Sequence, residues 1–261
     1  MWLSPAYFID ILCRQSHNQR KIDIMVTFVL VHGTGHGGWC WQKVANILRD
    51  SGSRVYAQTL TGVGDRSHLL ECGVDLSTHI TDVANLLFYE DLSDVILVGH
   101  SYSGMVITGV ATEVPERLRQ LIYLDAYVPE EGECEADLWP QKLKDEMNFD
   151  SAKSSGLRPP PSLKMLGIND PDLAEWARER ITQHPMDTYT QPVAGGDEQS
   201  ASIPRAYISC TVGPLASLFG RFATKARDEG WQVREIETGH DAMLTAPDEV
   251  ASHLLELAGA T

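Results

Sequence analysis

The chain has 261 residues, with 36 Asp and Glu against 21 Lys and Arg and a formal net charge of −15. Acidity without a basic run argues against a nucleic-acid partner, whose phosphates demand clustered cations, and against anionic membrane surfaces. Hydrophobic residues at 43% and charged residues at 22% fit a folded globular protein rather than a disordered one, with length for one large domain or one domain carrying an insertion.

Cys13, Cys40, Cys72, Cys134 and Cys210 stand singly, without a C-x-x-C pair. That pattern argues against a zinc ribbon or a disulfide framework, and a reduced, cytoplasmic setting is its simplest reading. The longest apolar runs, such as 26–31, are too short to span a membrane. Residues 1–24 lack a basic start, a clean apolar stretch and a small-residue cleavage site, so they read poorly as a secretory signal. They read as an extension outside the core. An amphipathic anchor is the rival reading, weakened by the lack of a cationic face.

Regular alternation begins after Met25. Residues 26–32 form a β-rich run ending in a glycine loop, His32-Gly33-Thr34-Gly35-His36-Gly37-Gly38. A helix is predicted over 39–49, with Trp41, Val44, Ala45 and Leu48 on one face. A strand follows at 54–58, then a polar loop over 61–70 and a helix over 75–90. A strand is predicted at 94–99, where Val95, Ile96, Leu97 and Val98 run without alternation, as a strand covered on both faces requires. A helix from 102 to about 113 and a strand at 119–124 come next. Between 128 and 203 the alternation lapses into proline-rich sequence with short helical pieces around Trp139 and Trp176. This stretch is predicted to be an inserted helical lid. A strand at 205–210, a helix around 218–228, a strand at 232–236 and a last helix complete the chain. Thr245-Ala246-Pro247-Asp248 predicts a hydroxyl cap for that helix. Strand–helix alternation of this kind gives an α/β architecture, a doubly wound and mostly parallel sheet. The predicted divisions are 1–24 as the extension, 25–127 with 204–261 as the core, and 128–203 as the lid.

The strongest chemical signal is Gly99-His100-Ser101-Tyr102-Ser103-Gly104, where a buried strand becomes a helix. A nucleophile elbow needs this context, with small residues two places before and after the Ser. Gly99 and Ser103 meet the need, Ser103 standing where Gly is usual. The bland alternative is a tight turn with a solvated hydroxyl. A serine hydroxyl is a weak nucleophile and needs a base. His240 follows the last strand and falls at the carboxyl edge of the sheet, beside the elbow. His68, His79, His184 and His253 read as surface or packing residues. The tetrahedral intermediate needs two N–H donors. Tyr102 follows the nucleophile, and Thr34 lies in the glycine loop. The spacing Gly33, Gly35, Gly38 also matches a dinucleotide-binding loop, but no acid ends the second strand to hold a ribose.

The acid that orients the base is usually sought after the strand 205–210. The loop 211–220 holds no carboxylate, whereas the strand before it runs directly into Asp125. Asp125 is therefore the predicted acid, its alternative being a structural cap of a lid turn. Gly33, His36, Trp139, Met165 and Trp176 are candidate substrate contacts, with Met147 and Phe149 as further lid walls for a flat aromatic ligand. No metal-ligand cluster stands out, so neither a metal nor an organic cofactor is expected.

The elbow, with Phe28-Val29-Leu30-Val31-His32-Gly33 and His36-Gly37-Gly38-Trp39-Cys40-Trp41, resembles the α/β-hydrolase family. Within that family the chain looks like the group of plant methyl esterases and hydroxynitrile lyases. The resemblance implies an α/β-hydrolase fold over most of 26–258. The lyases carry Thr where this chain has Gly33, and Lys where it has Asp241, so the resemblance favours hydrolysis over cyanohydrin cleavage. Leu60-Thr61-Gly62-Val63-Gly64-Asp65-Arg66-Ser67-His68 and Tyr123-Leu124-Asp125-Ala126-Tyr127-Val128-Pro129 are similar to bacterial esterases that hydrolyse carbendazim, a methyl benzimidazolyl carbamate. That likeness implies a small neutral ester or carbamate as substrate. A ligand receptor that kept the hydrolase fold is the non-catalytic alternative. The oligomeric state stays open, a homodimer included.

Overall fold

The computed structural model describes residues 25–70, 73–146 and 148–259. The expectations for 1–24, Cys13, Cys72 and Met147 lie outside these residues. In chain order the elements are β1 (Thr27–Val31), α1 (Gln42–Asp50), β2 (Arg54–Gln58), α2 (Leu76–Tyr89), β3 (Val95–His100), α3 (Ser103–Glu113) and β4 (Leu118–Leu124). The stretch 128–203 adds α4 (Gln141–Glu146), α5 (Phe149–Ser155), β5 (Leu157–Arg158), α6 (Pro171–Arg178), β6 (His184–Pro185), α7 (Asp187–Thr190) and α8 (Glu198–Ser202). The chain ends with β7 (Arg205–Cys210), α9 (Ala216–Asp228), β8 (Gln232–Ile236), α10 (Ala242–Thr245) and α11 (Pro247–Leu257).

Six strands form one parallel sheet in the order β2-β1-β3-β4-β7-β8. Successive residues of each central strand point to opposite faces, and both faces are covered. Val29, Leu97, Leu121 and Tyr207 join the core under α2, α3 and α9. Phe28, Ile96, Ile122 and Ile208 join the other core, under α1 and α11. This double burial is why the central strands read as unbroken apolar runs. The strand order reverses between β1 and β3, so the loops after these two strands open a crevice at the carboxyl edge. Asp75 caps α2 by accepting from the Thr78 N–H, and Thr78 answers with its hydroxyl in a capping box.

Several elements depart from the sequence reading. The helix predicted over 39–49 begins as a 3-10 turn, Gly38–Trp41. The stretch 61–70 contains a 3-10 helix, Gly64–Leu69. The predicted Thr245 cap does not form. Ala246 occupies the cap position of α11, while the Thr245 hydroxyl donates to the Asp241 carbonyl and meets Thr238 Oγ1 at 2.7 Å. A local capping pattern lost here to an additional short helix, α10, that claims the hydroxyl.

The stretch 128–203 is tied to the glycine loop by its backbone. The Thr182 N–H donates to Gly35 O at 2.8 Å, and the Gly35 N–H donates to His184 Nδ1 at 3.1 Å. His32, His79, His100 and His184 are all buried. Burial pushes His32 down to about 3 and lowers the other three as well. A histidine held neutral by the fold lends stability that is full above its unfolded value of 6.5 and is lost as pH falls toward the folded value. Three buried groups act in the opposite sense: burial raises Glu135 and Asp125, and the Asp241 charge raises His36. The four neutral histidines outnumber them. Urea denaturation should therefore show unfolding free energy decreasing from pH 6.5 to pH 5, by on the order of 3 kcal/mol. A flat or rising curve over that window would contradict the neutral burial of these rings.

Candidate active site

The turn between β3 and α3 holds Ser101 at φ 56°, a left-handed conformation that non-glycine residues adopt rarely. Close packing enforces it. A Cβ on Gly104 would sit 1.9 Å from the Tyr127 carbonyl oxygen, and one on Gly33 would come within 2.9 Å of Ser101 Cβ. Gly33 thus serves the approach of the first loop to the elbow. Ser103, where the usual motif has Gly, is fully buried, and its hydroxyl donates to the His32 carbonyl. That bond ties the elbow to the loop after β1.

Ser101 Oγ lies 2.9 Å from His240 Nε2, and His240 Nδ1 lies 2.6 Å from Asp125 Oδ2. A carboxylate only accepts, so Nδ1 carries the proton and Nε2 is free to accept from the serine. Asp125 follows β4 directly and has φ 42°. Its Oδ1 accepts the Cys210 N–H at 3.0 Å. Burial pushes the Asp125 carboxyl up, while His240 and the Cys210 N–H act against that rise. The strand β7 thus contributes a backbone donor at the point where its following loop has no carboxylate. Phe219 of α9 stacks on the His240 ring with centroids 4.5 Å apart and planes 17° apart.

The N–H groups of Thr34 and Tyr102 have no hydrogen-bond partner among the described residues. Thr34 is fixed from its side chain, whose Oγ1 accepts from the Tyr189 hydroxyl at 2.9 Å. Tyr102 is fixed likewise, its hydroxyl lying 2.9 Å from His79 Nδ1. Thr34 and Ser101 line the same cavity, and Tyr102 directly follows Ser101 in the chain.

A second buried polar cluster adjoins these residues, and its His36 also lines the cavity that holds Ser101 and His240. His36 Nε2 meets Asp241 Oδ2 at 3.0 Å, and His36 Nδ1 meets the Thr34 carbonyl at 2.7 Å. Burial alone would lower His36, but the Asp241 charge outweighs it and holds the imidazole above its ordinary value. Asp241 is correspondingly held low against its own burial. The His100 Nε2–H donates to the His240 carbonyl at 3.0 Å. His36 therefore has both ring nitrogens committed to protein partners.

A cavity of about 440 Å³, its open mouth included, joins Ser101, His240 and Thr34 to an apolar wall. Met165, a candidate substrate contact, lines it, and so do Leu215, Leu218 and Phe219. The loop without an acid thus leads into the pocket's wall. Trp176 is a correction: it lies edge-on to Trp39 at 5.2 Å, away from the cavity, because α6 packs it against the opposite core. Trp139 stands behind the wall, its ring against Tyr189 at 5.2 Å and Phe149 at 5.6 Å. Glu135 and Arg158 also line the cavity, and sequence reasoning missed both. Glu135 is one of five acids in the run 130–137 and Arg158 a lone base before a proline run, in a segment without periodicity, so neither stood out. His100, His240 and Asp241 bring potential metal-ligating atoms within 4.8 Å of one another, but each of these residues already has a protein partner.

The alpha/beta hydrolase family model matches residues 28–253. A carbendazim hydrolyzing esterase from a Nocardioides species is 42% identical over 244 residues, covering 89% of this chain and 100% of that protein. Methylesterase 10 of Arabidopsis thaliana is 31% identical over 266 residues, covering 94% and 95%. An extracellular alpha/beta-hydrolase from a Paenibacillus species superposes with a TM-score of 0.76 at 22% identity, covering 89% of this chain and 98% of that one. Among the described residues no helix is long and apolar enough to cross a membrane. With a parallel six-stranded sheet, an elbow after its third strand and these relatives, the chain belongs to the α/β-hydrolase family.

Proposed function

We propose that this ester hydrolase is a serine enzyme that cleaves small neutral methyl carbamates, heteroaryl carbamates of the carbendazim type among them, through a carbamoyl-serine intermediate. The observation that carries the reading is the unbroken line Asp125–His240–Ser101 opening onto an apolar cavity. The name of the 42% identical relative supports the carbamate, and Gly33 and Asp241 argue against the lyase reaction. The segment 128–203 acts as the lid, and three buried free cysteines, Cys40, Cys134 and Cys210, suit a reduced cytoplasmic setting.

In this mechanism His240 Nε2 takes the Ser101 proton as the oxygen attacks the carbamate carbonyl. The Thr34 and Tyr102 N–H groups hold the resulting oxyanion. Asp125 keeps the imidazole in the accepting tautomer and stabilises its charged form. The C–O bond to the methoxy group breaks, and methanol leaves with the proton from His240. Water, losing its proton to His240, then attacks the carbamoyl-serine, and Ser101 recovers that proton as it leaves. The freed carbamic acid loses CO2 to give the aryl amine. The carbamoyl nitrogen donates electron density into its carbonyl, so deacylation is the slow step.

The catalyst is separated from a non-catalytic receptor by p-nitrophenyl acetate. The native chain should hydrolyse it, and Ser101→Ala should lower turnover by at least about 10³-fold. A panel of methyl esters, methyl carbamates and amides, read by product mass, should give methanol and the aryl amine from the carbamate. Ester products alone would redirect the assignment to a methyl esterase. Asp125→Asn should lower kcat by about 10²- to 10⁴-fold with the fold intact. Near-native turnover in that variant would remove Asp125 from the relay.

A further inference from the structure

The cavity wall carries a carboxyl that the mechanism does not use. Glu135, in the turn Glu135–Leu138, is 1% exposed. The Trp139 Nε1–H donates to its Oε1 at 2.9 Å, which fixes the carboxyl in place. Its Oε2 is buried with no hydrogen-bond partner. Burial pushes this carboxyl up to about 8, although Arg158 and the Trp139 N–H both pull it down. Arg158 lines the same cavity, with its guanidinium 5.3 Å from the Trp139 ring centroid and 5.2 Å from that of Tyr189. Its Nη1 lies 3.5 Å from Thr34 Oγ1, and it forms no ion pair among the described residues.

An apolar side chain would fill a cavity wall without leaving an oxygen unmet. A carboxyl held by one oxygen, with the other unsatisfied in the cavity that Ser101 also lines, is the complement of a donor on a bound ligand. We propose that Glu135 is a specificity residue whose Oε2 accepts an N–H from the acyl portion of the substrate, with the Arg158 charge favouring the carboxylate. The proposal deepens the carbamate reading and rests on it. A simple acetate ester has no N–H there. An N-heteroaryl carbamate of the benzimidazole class has one beside the reacting carbonyl and another on its ring. The same donor edge survives in the amine product, so the product is a usable probe.

The test is a two-by-two binding comparison on the full chain. Calorimetry at pH 9, where Glu135 is ionised, would measure 2-aminobenzimidazole and its analogue without N–H groups, 2-(dimethylamino)-1-methylbenzimidazole, on the native chain and on Glu135→Gln. The Gln oxygen still serves Trp139, while its amide nitrogen cannot accept an N–H. The native chain should prefer the N–H ligand by at least about 10-fold, and Glu135→Gln should reduce that preference below about 3-fold. Equal affinity of the native chain for both ligands, binding of neither, or a preference unchanged in Glu135→Gln would overturn the proposal. A cooperative melting transition checks that the variant is folded, and if it is not, the native comparison alone decides. Calorimetry reads binding without turnover. Loss of the carbamate assignment in the substrate panel therefore leaves this result standing, and equal affinities refute the role of Glu135 even where the carbamate is hydrolysed.

Discussion

The left-handed turn at Ser101 is the constraint on which the rest of the site depends. Its backbone is joined to the turn that carries the acid: the Ser101 N–H donates to Leu124 O at 3.3 Å, and the Tyr127 N–H donates to Ser101 O at 3.2 Å. Asp125 lies between these two bonds, so serine and acid are fixed relative to one another before any side chain is considered. Gly104 and Gly33 let the Tyr127 backbone and the first loop approach from either side. The same approach brings Thr34 and Ser101 into the lining of one cavity. Strain at one residue of this kind costs about 1–3 kcal/mol, and the surrounding backbone bonds hold it.

The electrostatics follow from burial. His100, packed 4.6 Å from the His240 ring, is kept neutral mainly by desolvation, so it adds no positive charge beside the relay. The one charged pair in the second buried cluster, His36 with Asp241, is balanced internally. The cavity lining includes Glu135, Arg158 and His36, set in an otherwise largely apolar wall. The net charge of −15 resides chiefly on the exposed surface and speaks to which partners are repelled, whereas the pocket selects by shape and by a few placed polar groups.

Much of this was legible in the sequence, for physical reasons that differ by element. The unbroken apolar runs at 95–98 and 121–124 reported burial on both faces, and the sheet has that arrangement. Ser101 and His240 were legible because an elbow and a last-strand loop leave local patterns. Asp125 was singled out because 211–220 is empty of acids and β4 ends in one. What stayed hidden was long-range. The Cys210 N–H that holds Asp125 is 85 residues away from it, and Asp241 lies 205 residues from His36. The Thr245 pattern satisfied a local rule but lost its hydroxyl to a neighbouring turn. In the stretch 128–203, Glu135 and Arg158 follow no period, so only the folded chain brings them to the cavity, while Trp176 turns to the other core.

The central claim is that Ser101 forms a covalent carbamoyl intermediate whose hydrolysis limits turnover. The most direct measurement is the intact mass of the protein quenched during turnover of a methyl N-heteroaryl carbamate, followed by peptide mapping. The account predicts an added mass equal to the heteroaryl carbamoyl group, on the peptide containing Ser101. Steady turnover with no adduct on the native chain, or an adduct that persists in Ser101→Ala, would contradict it.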